Sequence, residues 1–286
     1  MREEWLAKSS RVETQISDQE PSQDGEERVK IAVSGKGGVG KTLVAGGLAC
    51  SFAKKLTTIA IDADPSPNLA LTLGLSPTEA RKIVPISENK RLIDSKTDTG
   101  FSGVYKLSFK VDDIVKDFSV ETPCGANLIV MGTVKAMDSG CTCGANAVVR
   151  NLLRHLIVER DEVVLVDMEA GVEHLGRGTA KSVDIMLIIA DSSIKSLEIA
   201  RRIHELATNA GIQKAFLVGN KVADEMQEDV IEDFAEKNQL RILDLIPFDE
   251  NVLKAEMQGE TPLKNPDSSS IRRINKIGAL LTAQAY

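Results

Sequence analysis

The segment from Gly35 to Thr42 combines glycines, a lysine and a hydroxyl side chain in a spacing that can hold a chain of phosphates. It fits the pattern G-x-x-x-x-G-K-[S/T] at every fixed position. The alternative, an ordinary glycine-rich turn between a strand and a helix, would not need the lysine and the hydroxyl residue at these positions. The glycines let successive backbone N–H groups surround phosphate oxygens. Lys41 can reach the β- and γ-phosphates, and the Thr42 hydroxyl can bind Mg²⁺. The predicted phosphate loop consists of Gly35, Lys36, Gly37, Gly38, Val39, Gly40, Lys41 and Thr42.

Carboxylates follow two apolar segments that are predicted to be strands. Asp167 comes directly after Val163–Val166, and four apolar residues followed by aspartate are typical of a carboxylate that holds Mg²⁺. The segment Asp62–Pro65 reads D-A-D-P and follows another such strand. The alternatives are a helix N-cap at Asp167 and a capping turn at Asp62–Pro65. Hydrolysis of a phosphate anhydride needs an acceptor that orients water near the terminal phosphate, and these aspartates can supply one.

Two cysteines separated by one residue form a second candidate site, for a soft metal ion. Cys141 and Cys143 lie in the glycine-flanked segment Gly140–Gly144, which predicts a turn in which both thiols converge. The positive end of a helix predicted over Asn146–Glu159 should favour the thiolate of Cys143. Two thiolates complete half of a tetrahedral site, so two chains related by a twofold axis could hold one Ni²⁺ or Zn²⁺ ion. The alternatives are a redox pair or two incidental loop cysteines.

Apolar segments alternate with helical segments from residue 29 onward. This alternation predicts one α/β domain over residues 29–286, a doubly wound and mostly parallel sheet with helices on both faces, as in P-loop NTPases. Ligands of such sheets bind at the C-terminal ends of the strands. The region 90–118 has no clear pattern. The predicted strands are Val29–Val33, Thr57–Ile61, Asn127–Met131, Val163–Val166, Asp184–Ala190, Lys214–Val218 and Arg241–Ile246, and the predicted helices are Lys41–Lys54, Asn146–Glu159, Ser193–Asn209, Glu225–Lys237 and Ser270–Ala283.

Charge and composition argue against several classes of function. The net charge is −7 and there is no large basic tract, so we expect no nucleic-acid partner. No apolar run approaches the ~18 residues of a membrane span. Residues 1–28 are polar and acidic, and we expect a flexible extension without a secretory segment. The expected compartment is the reducing cytoplasm, with Cys50 in the core of the first helix and Cys124 as a surface thiol.

The second lysine of the loop, Lys36, carries a family resemblance. The string K-G-G-x-G-K-T resembles the deviant Walker A loop of dimeric ATPases, which include the nitrogenase iron protein, septum-site and chromosome-partition ATPases, and metallocentre maturation ATPases. In that family the extra lysine crosses a face-to-face dimer and contacts the partner's nucleotide. The resemblance therefore implies that Lys36 acts in an ATP-sandwiched homodimer.

The same resemblance implies roles for other residues. The family's aspartate before the proline of D-x-D-P positions the attacking water, which corresponds to Asp64, with Asp62 behind it. An asparagine after a later strand reads the adenine edge, which corresponds to Asn220, and a loop at Pro247 packs on the base. The implied catalytic residues are Lys36, Lys41, Asp64 and Asp167.

A longer string narrows the resemblance. The Cys-x-Cys before a helix, together with D-M-E-A-G-V-E-H-L-G-R-G-T-A over Asp167–Ala180, is similar to carbon monoxide dehydrogenase maturation ATPases. This implies ATP-driven nickel insertion into a carbon monoxide dehydrogenase or the related acetyl-CoA synthase. His174 stands where the nitrogenase iron protein has a second cluster cysteine, which argues against a bridging cluster with two cysteines per subunit. His174 is expected to be structural; a transient metal ligand is the alternative.

We therefore predict an ATP hydrolase that acts as a metallochaperone. Two alternatives stay open. One is an ATP-gated iron–sulfur reductase. The other is a positioning ATPase of the septum-site type that binds a membrane or a protein through its C-terminal helix, which is apolar on one side and basic on the other.

Overall fold

An eight-stranded sheet in the order β3-β4-β2-β5-β1-β6-β7-β8 organises the protein. The structure is a computed structural model that describes residues 29–64, 66–100, 112–132, 142–158, 162–171 and 179–283. Neighbouring strands pair in parallel except β3, which pairs with β4 in antiparallel fashion. This confirms the predicted doubly wound, mostly parallel sheet. The strands are β1 Lys30–Gly35, β2 Thr58–Asp62, β3 Val120–Glu121, β4 Asn127–Val130, β5 Val163–Asp167, β6 Ile185–Ala190, β7 Lys214–Val222 and β8 Ile242–Pro247.

Helices cover both faces of this sheet. On one face, α1 and α10 pack against the strands, and on the other face α6, α7 and α8 do so. Strands covered on both sides need apolar residues throughout, and every residue of β1, β2, β5 and β6 is buried. The helices are α1 Lys41–Ala53, α2 Leu69–Thr72, α3 Pro77–Ala80, α4 Lys90–Thr97, α5 Asp112–Phe118, α6 Thr142–Val158, α7 Ile194–Asn209, α8 Glu225–Lys237, α9 Glu250–Met257 and α10 Ser269–Ala283, with short 3-10 turns at Ile86–Glu88 and Pro262–Lys264.

The C-terminal helix α10 uses its apolar side inside the protein. Ile271, Ile274, Ile277 and Leu281 are all buried in the core that α10 shares with α1. A Cβ at Gly47 of α1 would lie 2.6 Å from the Ile274 side chain, so the two helices meet at a glycine. This apolar side is therefore not available to a membrane surface. None of the helices in the described ranges combines the length and the apolar character that a membrane crossing needs.

Helix α6 begins at Thr142, four residues earlier than the predicted Asn146. The prediction of a glycine-flanked turn around Cys143 is therefore wrong, since Cys143 and Gly144 belong to the first helical turn. A single glycine costs a helix only about 1 kcal/mol relative to alanine, which the packing of the rest of α6 can offset. Cys141 lies outside the described residues, as do residues 1–28 and His174.

The two remaining cysteines are joined to each other. Cys50, on α1, and Cys124, in the turn between β3 and β4, form a disulfide with Cα atoms 5.3 Å apart. The predictions of an unpaired core cysteine and a free surface thiol are both wrong. The two residues are separated by 74 positions, and they meet because β4 lies beside β2 on the side of the sheet that α1 covers.

Candidate functional site

The phosphate loop lies between the end of β1 and the start of α1, as predicted. Gly40 occupies the N-cap position with φ 94°, and no side chain caps the helix. The first N–H groups of α1 therefore remain open to an anion, where the helix dipole favours negative charge. Gly40 also cannot carry a side chain, because a Cβ there would collide with the amide nitrogen of Asn220.

Lys41 is buried at the base of this loop. Its Nζ lies 3.4 Å from the Lys36 carbonyl oxygen and 3.9 Å from Asp64 Oδ2. The ammonium is therefore held between the backbone of the phosphate loop and the Asp64 carboxylate in the loop after β2. A phosphate placed in the loop would meet this charge directly. The backbone carbonyl of Lys36 helps to aim Lys41.

Asp62 holds the loop that carries Asp64. Its Oδ1 accepts the N–H of Asp64 at 3.2 Å, and its Oδ2 accepts the N–H of Leu69 at 2.9 Å. Burial raises the pKa of Asp62 to about 6, although these N–H donors oppose the shift. Asp64 itself is partly exposed beside Lys41 and accepts the N–H of Ser66 at 2.8 Å. Asp62 therefore shapes the loop after β2, and Asp64 lies beside Lys41 of the phosphate loop.

Asp167 ends β5 directly beside Asp62, its register partner on β2. Burial raises the pKa of Asp167 to about 7, and the Thr42 hydroxyl is close enough to lower it in part. Neither carboxylate oxygen accepts a hydrogen bond of ordinary geometry from the described residues. A buried carboxylate of this kind beside a hydroxyl suits Mg²⁺, which prefers oxygen ligands. When bound, Mg²⁺ neutralises charge on the β- and γ-phosphates.

The segment after Asp167 is tied to the start of the phosphate loop. The Ser34 hydroxyl donates to the carbonyl of Glu169 at 2.7 Å and accepts the N–H of Gly171 at 3.1 Å. Ser34 directly precedes Gly35, so the residues from Asp167 to Gly171 are placed against the loop that holds the phosphates. Residues 172–178 lie outside the described part of the chain.

A cavity of about 500 Å³ extends from the phosphate loop toward β8. Its lining includes Asp64 together with Asn220 and Pro247, so the structure brings these three predicted residues together. A second cavity of about 560 Å³, lined by residues of α8 and α10, shares Pro247 but no other predicted site residue. The first cavity is thus the one that fits a nucleotide.

Asn220 lies within β7 rather than after it, because β7 continues through an irregular pairing with β8 as far as Val222. The predicted end of this strand at Val218 is wrong, since a bulge hides the continuing pairing from the sequence pattern. The buried Asn220 amide donates to the Val39 carbonyl at 2.7 Å. Asn220 therefore contacts the phosphate loop itself.

Sequence reasoning missed Asp249, which joins the loop after β8 to α10. One oxygen caps α9 by accepting the N–H of Asn251, and the other accepts from both the hydroxyl and N–H of Ser269 and from the Ser268 hydroxyl. Burial opposes ionisation, but these hydrogen bonds outweigh it and hold the pKa of Asp249 well below its usual range. The Ser270 hydroxyl also donates to the Pro247 carbonyl at 2.7 Å. An aspartate at the start of a short helix was the available signal.

A parallel sheet with a phosphate loop after β1 and a buried carboxylate after β5 defines a P-loop ATPase. The chain belongs to the CobQ/CobB/MinD/ParA nucleotide-binding family, whose profile matches residues 30–263. The deviant Walker A family and the ATPase activity predicted from the sequence are thereby confirmed.

Two relatives and one solved structure illustrate the family. The uncharacterized ATP-binding protein MJ0823 of Methanocaldococcus jannaschii is 40% identical over 253 residues, covering 87% of this chain and 96% of that protein. The carbon monoxide dehydrogenase accessory protein CooC of Rhodospirillum rubrum is 40% identical over 234 residues, covering 81% and 88%. A ParA family ATPase from Chlorobium tepidum TLS shares the fold, with a TM-score of 0.64 and 18% identity over 88% of this chain and 98% of that one.

Proposed function

We propose that this ATPase is a metallochaperone that works as a nucleotide-sandwiched homodimer and inserts nickel into a carbon monoxide dehydrogenase or the related acetyl-CoA synthase. Two observations carry the proposal. The chain is 40% identical to the accessory protein CooC over 234 residues, and it has a Cys-x-Cys at the start of α6.

The metal ion, Ni²⁺ or Zn²⁺, is the cargo of this reaction. Cys143 belongs to the first turn of α6, where the positive end of the helix dipole favours a thiolate. Cys141 precedes the helix by one residue. Because one chain offers two such thiolates and a tetrahedral soft-metal site takes four, the proposal assigns one ion to two chains.

ATP turnover is assigned to the residues that line the cavity beside the phosphate loop. Lys41 carries positive charge to the β- and γ-phosphates, and Asp64 accepts a proton from the attacking water and orients it. The Asp62 carboxylate keeps Asp64 in place by accepting the backbone N–H of Asp64. Asn220 and Pro247 face the base. Lys36 contacts the nucleotide of the partner chain, and this contact is the reason why nucleotide binding and dimerisation are coupled.

The coupling to the metal runs through the residues from Asp167 to Gly171. Ser34 ties this segment to the phosphate loop, so a change at the terminal phosphate reaches it directly. ATP can drive metal release only if the two nucleotide states differ in metal affinity. The proposal therefore requires different metal affinities with ATP and with ADP.

Metal titration of the full-length protein, read by native mass spectrometry with and without Mg·ATP, tests the proposal. The expected result is one Ni²⁺ or Zn²⁺ per two chains, with an affinity that falls as the pH drops through the thiol pKa because thiolates must deprotonate to bind. The double variant Cys141→Ser, Cys143→Ser should keep ATP binding and lose the metal, whereas the matched control Cys50→Ser, Cys124→Ser should retain both.

Two outcomes would contradict the metal site: one ion per chain, or full retention of metal by the Cys141→Ser, Cys143→Ser variant. Visible absorbance by anaerobically purified protein would favour the iron–sulfur reductase instead. Insertion of nickel into the purified apo forms of the two candidate clients would then distinguish the carbon monoxide dehydrogenase from the acetyl-CoA synthase.

A further inference from the structure

Two adjacent residues near the end of β7 hold two adjacent carbonyls of the phosphate loop. Asn220 Nδ2 donates to the carbonyl of Val39 at 2.7 Å, and Lys221 Nζ donates to the carbonyl of Gly38 at 2.8 Å. The Asn220 bond is buried, whereas Lys221 reaches the loop from the protein surface. These bonds link segments more than 180 residues apart, so they depend on the fold and not on the loop sequence.

Holding a carbonyl also orients an N–H group. The peptide unit is planar and trans, so the C=O of one residue and the N–H of the next point in opposite directions. Fixing the Gly38 carbonyl on the outside of the loop therefore turns the Val39 N–H to the inner side, where it lies 3.5 Å from the Lys36 carbonyl that also accepts from Lys41. Fixing the Val39 carbonyl directs the Gly40 N–H inward in the same way. Inward N–H groups are what a phosphate loop offers to its anion. A carbonyl that turned inward would instead repel a phosphate.

The backbone of Lys221 adopts a conformation that lysine rarely takes. Its φ is 61°, in the left-handed region, and Gln239 is the other non-glycine residue with positive φ in the described ranges. Such outliers persist where the surrounding structure imposes them. Here the irregular pairing between Gly219 and Val222 places Lys221 opposite the loop.

The same bulge also connects the loop to the base side of the cavity. Just after Lys221, Val222 pairs with Pro247, and its carbonyl accepts the N–H of Phe248 at 2.8 Å. Lys221 thus lies between the residues that face the base and the loop that faces the phosphates. Lys221 contacts this loop through the Gly38 carbonyl.

We propose that Lys221 is a positioning residue of the nucleotide site, which keeps the phosphate loop in its anion-binding shape by holding the Gly38 carbonyl. The inference concerns ATP binding alone and is independent of the metal site and of the client. It assigns to Lys221 a role that acts on the phosphates through the loop, without contact between Lys221 and the base.

The test compares Mg·ATP with Mg·tripolyphosphate, which has the phosphates but no base. Lys221→Asn and Lys221→Gly both remove the ammonium, and both residues accept a positive φ, so the backbone stays unstrained. Each variant should weaken the binding of both probes by the same factor, about tenfold for the loss of one charge-assisted hydrogen bond. Lys221→Arg, which keeps a cationic donor, should restore most of the affinity. The melting temperature of the free variants should stay within about 3 °C of the wild type.

Several results would overturn the inference. A loss confined to Mg·ATP would show that Lys221 contacts the base or ribose. Unchanged affinity for both probes would show that the loop keeps its shape without the bond. Failure of both Lys221→Asn and Lys221→Gly to fold would show a purely structural role. Absence of tripolyphosphate binding by the wild type would show that the loop is not preformed. If the wild-type protein did not bind Mg·ATP, that result would instead contradict the assignment as an ATPase.

Discussion

Beside the phosphate loop, Lys41 and Asp64 lie close together, and the proposed function gives them different roles. Their charged atoms are 3.9 Å apart, and Lys41 is almost fully buried whereas Asp64 is partly exposed. A buried ammonium is well placed to bind an anion. A carboxylate with access to solvent is well placed to receive a water molecule, and its loop is held in place by Asp62.

Substitution should separate these two tasks. Lys41→Ala removes the charge that meets the β- and γ-phosphates, so we expect ATP binding to be lost in calorimetric titration. Asp64→Ala should still bind ATP but hydrolyse it more slowly by about 100-fold or more, since it removes the acceptor for the attacking water. The free Asp64→Ala protein should melt close to the wild type, because Asp64 is partly exposed and its charged atoms lie a full 3.9 Å from those of Lys41. Turnover at the wild-type rate by Asp64→Ala would exclude its assigned role.

At the level of elements, the loop after β8 is held to α9 and α10 by Asp249. One carboxylate oxygen of Asp249 caps α9, and the other accepts hydrogen bonds from Ser268 and Ser269 at the start of α10. Asp224 provides a matched control, because it caps α8 through the single N–H of Gln227 and makes no such bridge.

We expect Asp249→Ala to lower the free energy of unfolding by about 2 kcal/mol, at the upper end for a helix cap, and Asp224→Ala by about 1 kcal/mol. The folded state lowers the pKa of Asp249. Its contribution is therefore fully present above the unfolded pKa, near 4, and is lost as the pH falls below that value. Urea unfolding at pH 7 and pH 3 measures this, and the gap between wild type and Asp249→Ala should shrink at pH 3. An equal gap at both pH values would contradict it.

The disulfide joins two elements that support the site. Cys50 belongs to α1, the helix that starts at the phosphate loop, and Cys124 belongs to the β3–β4 turn at the edge of the sheet. The bond closes a loop that contains β2, Asp62 and Asp64. A cross-link over such a long stretch restricts the unfolded chain strongly.

Reduction of this bond, or the double variant Cys50→Ala, Cys124→Ala, should lower the free energy of unfolding by about 2–4 kcal/mol in urea titrations. The variant Cys141→Ser, Cys143→Ser serves as control, and it should lose the same stability on reduction as the wild type. A thiol count in denaturant without reductant gives an independent check, with two free thiols per chain expected. A count of four would mean that the pair is not bonded.

At the level of the whole molecule, the proposed homodimer depends on Lys36. Lys36 lies in the phosphate loop, and its side chain is partly exposed. Its backbone carbonyl already faces Lys41 within the same chain. Because the carbonyl of Lys36, and not its side chain, contacts Lys41, the side chain can extend toward a partner chain in the proposed dimer.

Lys36→Ala should therefore bind Mg·ATP as a monomer and fail to dimerise. Sedimentation velocity with Mg·ATP, or with a non-hydrolysable analogue, should show a wild-type dimer and a monomeric variant. Lys55→Ala is the control, since Lys55 is exposed beyond the end of α1 and should not affect the association. Dimerisation of Lys36→Ala at wild-type concentrations would reject the sandwiched arrangement.

The features that could be predicted from the sequence are those that depend on neighbouring residues. The phosphate loop, the strand before Asp167 and the helix from Lys41 each follow from a local pattern of glycines or apolar residues, and each lies where predicted. The helices α4 and α5 in the segment 90–118 were not predicted, because both are short and carry few apolar residues. Helix α6 was predicted to start too late because Gly144 resembles a turn signal, although one glycine costs a helix only about 1 kcal/mol.

Contacts between distant segments required the folded chain. Lys221 and Asn220 reach the phosphate loop because β7 joins β1 through β6 and then bulges. The contacts between Cys50 and Cys124 and between Asp249 and Ser268 likewise arise because the fold brings distant segments together. A local pattern predicts which face of a segment is apolar and which is polar. The order of the strands and the packing of the helices determine which other segment each face contacts. Many pairings are compatible with one set of local patterns, and the burial of the common core selects among them.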